Sequence, residues 1–181
     1  MENGLLGYIT TRVFEGPTYM GGILIIDKKG IPAEFKYVEP IRPSKLQTLL
    51  YGNTIDRYIR IESVGIPLVD AVEHKPVVLF VREEPFLEES RWNFPILSIS
   101  RYKGGEVLST LGEFKELENR EYIISIDSSL PIRVRIDRKY RERFQELIPI
   151  LIEIGQNFDI MEPFSRLEEA IRFIWREQRK S

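Results

Sequence analysis

Two hydrophobic periods take turns along this chain. Residues 7–14 (GYITTRVF), 20–27 (MGGILIID) and 31–37 (IPAEFKY) are rich in β-branched and aromatic side chains, and Glu15-Gly16-Pro17 and Lys28-Lys29-Gly30 separate them. That composition and punctuation predict three strands, the last two forming an antiparallel hairpin. Gly21 and Gly22 inside the second run point to a bulge or to a close approach of another backbone.

Helical spacing takes over between residues 44 and 74. Leu46, Leu49 and Leu50 share one face, Ser44 stands ahead of them as an N-cap, and Gly52 or Asn53 offers a left-handed end. A second helix is expected over 54–64, with Ile55, Tyr58 and Ile59 inward. A third starts at Ile66-Pro67, with Leu68, Val69 and Val72 inward. The region reads as broken helices closed by Pro76.

The second half returns to strands. Residues 77–81 (VVLFV) are continuously apolar, as a central strand buried on both faces requires. Residues 83–95 (EEPFLEESRWNFP) read as an exposed loop or short helix. Lys103-Gly104-Gly105 predicts a hairpin between 96–102 and 106–111, and 122–127 and 131–137 read as two further strands. Phe144, Leu147, Ile148, Leu151 and Ile152 then follow a helical stripe, with a break expected at Pro149. Ser165-Arg166-Leu167-Glu168 has the form of a capping box opening a last helix.

The sum is an α+β protein. Its sheet is mixed and largely antiparallel, with a broken helical segment after the third strand and two C-terminal helices. One domain over 1–181 is expected, with 139–181 as a possible helical subdomain. The opening order of three strands, a helical segment and a further strand resembles the start of RNase H-like domains. That resemblance implies a three-layer arrangement as the alternative. RNase H-like enzymes carry an acidic residue on the first strand, and 7–14 has none.

Composition narrows the chemistry. Hydrophobic residues make up 43% of the 181, enough for a sizeable core. Charged residues reach 30%, the net charge is -2, and cysteine is absent. Dense mixed charge without thiols suits a cytoplasmic protein of a thermophile. The N-terminus has no basic segment followed by an apolar run, so no signal peptide and no membrane partner are expected. With His74 the only histidine and no cysteine, zinc sites of the Cys/His type and Cys nucleophiles are excluded within one chain. Glycine-rich nucleotide-binding motifs are also missing.

Four candidate sites remain. Arg42, Ser44 and Lys45 surround a helix start and suit a small anion. Asp27, Asp127 and Asp137 each follow an isoleucine at a strand end, and three such carboxylates converging would hold Mg or Mn, otherwise no cofactor is expected. Arg133, Arg135, Arg138 and Lys139 form the densest basic run and suit a nucleic-acid backbone. Phe86, Arg91, Trp92 and Phe94 suit a protein partner, and the wide apolar face of the last helix suits self-association. With no recognisable reaction centre, the expectation is a non-catalytic intracellular binding protein. The alternatives are a metal-dependent nucleic-acid hydrolase or nucleic-acid-binding protein, and a small-anion binder.

Overall fold

The computed structural model describes residues 4–181. The first three residues of the N-terminal stretch lie outside that range. Eight strands form one sheet: Leu6–Phe14 (β1), Thr18–Ile26 (β2), Pro32–Tyr37 (β3), Val78–Val81 (β4), Ile96–Arg101 (β5), Phe114–Glu118 (β6), Glu121–Ile124 (β7) and Ile132–Ile136 (β8). Their order across the sheet is β3-β2-β1-β4-β5-β8-β7-β6. The β1–β4 and β4–β5 pairs are parallel, and the remaining neighbours are antiparallel.

The side-chain alternation of the central strands sorts the molecule into three layers. Leu6, Tyr8, Met20, Leu24, Val78 and Phe80 face one cluster, completed by the C-terminal helices Phe144–Asn157 (α4) and Glu162–Lys180 (α5). Ile9, Ile23, Ile25, Leu79 and Val81 face the other. That second cluster is closed by the helical segment, which runs Lys45–Tyr51 (α1), Ile55–Tyr58 (α2), a wide π turn over Ile59–Gly65, and Ile66–Ala71 (α3). The α+β class, the mixed sheet and the broken helices expected from the sequence are all present.

Two glycines let the helical segment lie close against its neighbours. A Cβ on Gly21 of β2 would sit 2.3 Å from Val64, and one on Gly65 would sit 2.0 Å from the Phe86 ring. What comes closest at Gly21 is the Val64 side chain of the helical segment, rather than the backbone expected from the sequence. Pro67 accounts for the wide turn ahead of it. It offers no N–H, and its ring crowds the carbonyl four residues back, so the preceding turn opens.

Three local expectations fail, each for a physical reason. Residues 106–111 are not a strand, and β5 pairs with β8 instead. Val107 is 87% exposed, so pairing there would have buried little. The real hairpin is β6–β7, turning at Asn119-Arg120, where Arg120 takes a positive φ of 66°. Helix α4 runs unbroken through Pro149. The lost bond costs about 3 kcal/mol, and burying Phe144, Leu151 and Ile154 contributes about 1.5–3 kcal/mol each. Helix α5 begins at Glu162 with Pro163 in its first turn, so Ser165 lies inside it and caps nothing. The helix expected from Leu46, Leu49 and Leu50 behind Ser44 is present as α1, which leaves all three leucines exposed.

Glu34 on β3 ties the end of the helical segment to the sheet. Burial opposes its charge, but it accepts bonds from the backbone N–H groups of His74 and Glu73 and from the His74 ring, with Lys36 nearby. Together these bring its pKa down to about 2. A carboxylate with a depressed folded-state pKa adds stability above its unfolded value, and the contribution disappears as pH falls toward the folded one.

Two outcomes are expected. Gly65→Ala should destabilise by about 1–3 kcal/mol in urea titration, because Phe86 must leave its place. An unchanged midpoint would show that the contact is not tight. Stability measured against pH should fall between about 4.5 and 2, and Glu34→Gln should flatten that part of the profile.

Candidate functional site

Strands β1 and β4 lie side by side and parallel, but the chain leaves them in opposite directions across the sheet. Such a switch point opens a crevice at the carboxyl ends of the strands, where ligands of open sheets bind. Ile9 is level with Val81, so β1 continues past the end of β4 from Thr10 onward. The residues that border this notch are Thr11 and Arg12 of β1 and Arg82 and Glu83 after β4. Each layer of helix adds one more charged side chain.

On the helical-segment face, Glu83 takes the place of a neighbouring strand. Its Oε1 accepts from the backbone N–H of Thr11 (2.8 Å) and from the Thr11 hydroxyl (2.6 Å). The same hydroxyl accepts from Arg60 (2.7 Å), which is carried on the π turn and also bonds Asp56 (2.9 Å). Tyr19 donates its hydroxyl to Asp56 (3.1 Å) and lies under the Arg60 guanidinium. Burial, and then the bond to Asp56, raise the pKa of Tyr19. Glu83 Oε2 is buried and has no hydrogen-bond partner among the described residues. A buried orphan oxygen on a charged group is a costly arrangement that calls for a reason.

On the α5 face, Glu168 sits between two guanidiniums, 3.5 Å from Arg12 and 3.4 Å from Arg82. Arg82 lies over the Phe164 ring at 4.8 Å, and Phe164 meets Tyr8 edge-on. Tyr8 donates to the Ile160 carbonyl (2.9 Å), and its burial raises its pKa well above the usual tyrosine value, so this floor stays neutral. Two cations share one carboxylate here, and an arginine has five N–H donors to offer. This face therefore keeps a net positive charge and donors to spare.

The residues expected from the sequence lie elsewhere. Ser44 accepts from Gln47 N–H and Gln47 caps Ser44 in return, so the helix start is occupied by its own capping box. Arg42 is turned toward Thr18, and Lys45 is exposed. Arg133, Arg135 and Arg138 pair with Glu121, Glu84 and Glu88. Lys139 bonds the Ser90 and Trp92 carbonyls, so this run clasps the 83–95 loop to the sheet. The loop is folded down rather than presented. Phe86, Trp92 and Phe94 are buried, Trp92 donates to Asp70 (2.9 Å), and Arg91 turns to Glu89.

The three aspartates do not meet. Asp27 accepts from the N–H groups of Lys29 and Ile31, and Asp127 from that of Ser129, each closing its own turn. Asp137 is buried, and its carboxylate accepts from Ile96 N–H (2.7 Å) and Tyr140 N–H (3.0 Å). Burial raises its pKa against those bonds. Asp27 and Asp137 follow β2 and β8, four strand spacings apart, or roughly 19 Å. Asp127 follows β7 at the opposite edge. Among the described residues no group of three or more His, Asp or Glu side chains is placed to hold a metal ion. Glu83 and Glu168 also fail to share one, because they lie on opposite faces of the sheet, each against arginine. The donor set does not fit Mg or Mn bound by converging carboxylates. A measurable outcome follows for Asp137: replacement by alanine strands one buried and one partly buried N–H group and should cost roughly 2–3 kcal/mol in thermal or urea unfolding, with asparagine recovering part of it.

No protein-family profile and no curated protein sequence matches the chain. Solved structures do. The Bacillus subtilis endonuclease V superposes with a TM-score of 0.58 at 11% identity, covering 99% of this chain and 83% of that one. The catalytic domain of human endonuclease V gives 0.56 at 11%, covering 98% and 84%. Ciona intestinalis endonuclease V, in complex with a 24mer DNA containing an inosine followed by a ribo-adenosine, gives 0.58 at 11%, covering 97% and 87%. The expectation of a non-catalytic module with a protein-binding loop is corrected on both counts: the chain shares its fold with endonuclease V structures, and the loop's aromatics are core. The three-layer RNase H-like alternative describes the arrangement, and the fold of this chain is that of endonuclease V.

Proposed function

We propose that the protein acts on nucleic acid, cleaving the phosphodiester backbone at the notch between β1 and β4. The observation that carries this reading is Glu83, a carboxylate at the switch point with one oxygen fixed by Thr11 and the other left without a partner. A fold shared with endonuclease V over almost the whole chain supports nucleic acid as the substrate class.

Each neighbour has a part in that chemistry. Thr11 and Arg60 hold the Glu83 carboxylate in one orientation. Once a strand opens the notch onto it, its second oxygen takes the proton of a water that attacks phosphorus, and the leaving sugar oxygen departs on the opposite side with a proton from solvent. Charge builds up on the non-bridging phosphate oxygens, and the long side chains of Arg12 and Arg82 reach it around the strand ends from the α5 face and stabilise it. Glu168 keeps those two guanidiniums side by side.

The test is cleavage of end-labelled single-stranded and duplex DNA and RNA, including substrates with inosine. Glu83→Gln keeps the shape but cannot accept a proton. It should lower the rate by about 10²–10⁴ while leaving binding intact. Wild-type protein that cuts none of these substrates, or a Glu83→Gln variant that cuts normally, would overturn the assignment.

A further inference from the structure

Five arginines of the 131–143 run face acidic partners: Arg133, Arg135, Arg138, Arg141 and Arg143 pair with Glu121, Glu84, Glu88, Glu116 and Glu146. The charge there is cancelled locally. Helix α5 differs. Glu168, Arg172 and Arg176 follow one another at four-residue spacing, so they share one face with about 6 Å of rise between successive side chains. Glu168 fixes that face at the crevice, between Arg12 and Arg82. Farther along, Trp175 stacks on Phe14 at 4.8 Å and Arg179 pairs with Glu15, so the helix runs out beside the β1–β2 turn. Arg172 and Arg176 therefore lie between the crevice and that turn. Neither has a carboxylate within ion-pair distance among the described residues. Arg176 is exposed and Arg172 partly so.

We propose that a nucleic-acid strand bound in the crevice leaves it along α5, with Arg172 and Arg176 continuing the line of phosphate contacts that Arg82 and Arg12 begin. This rests on the reading of the protein as acting on nucleic acid, and it names where the strand runs. The chain as a whole is slightly acidic, so a backbone is drawn only to places where cations lack acidic partners. The α5 face is such a place and is continuous with the crevice. An unpaired guanidinium is also the side chain best matched to phosphate oxygens. The exposed Glu169 stands one turn before Arg172 but makes no ion pair with it.

The experiment is fluorescence anisotropy of labelled single-stranded DNA, duplex DNA and single-stranded RNA against the full chain, as a function of salt. It compares wild type, an Arg172→Glu/Arg176→Glu double variant, and Arg138→Glu as a control on the cancelled surface. Circular dichroism melting checks that each variant is folded. The double variant should lose at least about tenfold in affinity, and its log–log salt slope should drop by about 2, one for each phosphate contact removed. Arg138→Glu should leave both unchanged. Wild-type binding that survives the double variant with its salt slope intact would overturn the track while leaving the crevice assignment standing, as would a loss confined to Arg138→Glu. If wild type binds and cuts no nucleic acid but binds anionic lipid vesicles through Arg172 and Arg176, the track and the nucleic-acid reading fall together.

Discussion

Burial of the central strands on both faces is the constraint on which the rest of the molecule depends. All nine residues of β2 and all four of β4 are buried, as are the first six of β1. Strands of this kind have no polar face. Both sides need a covering layer, and charged groups are expelled to the strand ends and outer surfaces. The helical segment with its aromatic loop covers one side, and α4 with α5 covers the other. The notch between β1 and β4 is where that rule leaves room for charge nearest the centre of the fold.

What gathers there is ordered by simple geometry. Arg82 and Glu83 are consecutive and turn to opposite faces, so each meets a different layer. Glu83 meets Thr11 and Arg60, and Arg82 meets Glu168 and Phe164. The two faces have different characters as a result. One is a tight network in which Arg60 is enclosed by Asp56 and Glu83, and the other is a looser pair of guanidiniums around a single carboxylate. The first orients a carboxylate, and the second presents positive charge to the outside. With the carboxylates divided between faces, the site gathers no set of ligands for a divalent ion and instead sets two guanidiniums side by side on one face.

The surface charge carries a related lesson. The densest basic run in the chain, 131–143, is spent on internal pairing, and it secures the 83–95 loop through Glu84, Glu88 and the backbone of Ser90 and Trp92. Density along a sequence measures supply, whereas attraction for a polyanion depends on what remains after nearby carboxylates are matched. Arg172 and Arg176 are sparse in sequence, yet among the described residues they stay unmatched, on the crevice side of α5.

Much of the framework was legible in the sequence. The continuous apolar runs at β2 and β4, the glycines at 21 and 22, the prolines bounding 44–74 and the helical stripe after residue 144 report local or one-face preferences that hold wherever the chain is placed. They gave the class, the broken helical segment and the C-terminal helices. The hairpin at 103–105 was misread because two glycines signal a turn without saying which strands it joins, and β5 found its partner at β8. The site was barely legible. Thr11, Arg12, Arg60, Arg82, Glu83 and Glu168 form no motif, being separated by up to 157 positions in the chain, and only the parallel pairing of β1 with β4 brings them together. The one local signal was the charged VREE that follows the apolar VVLF run, a mark of a central strand's carboxyl end. Periodicity fixes which side of an element faces inward, because that depends on a few neighbours. Which ends of which strands meet depends on strand order, and strand order is decided only when the whole sheet closes.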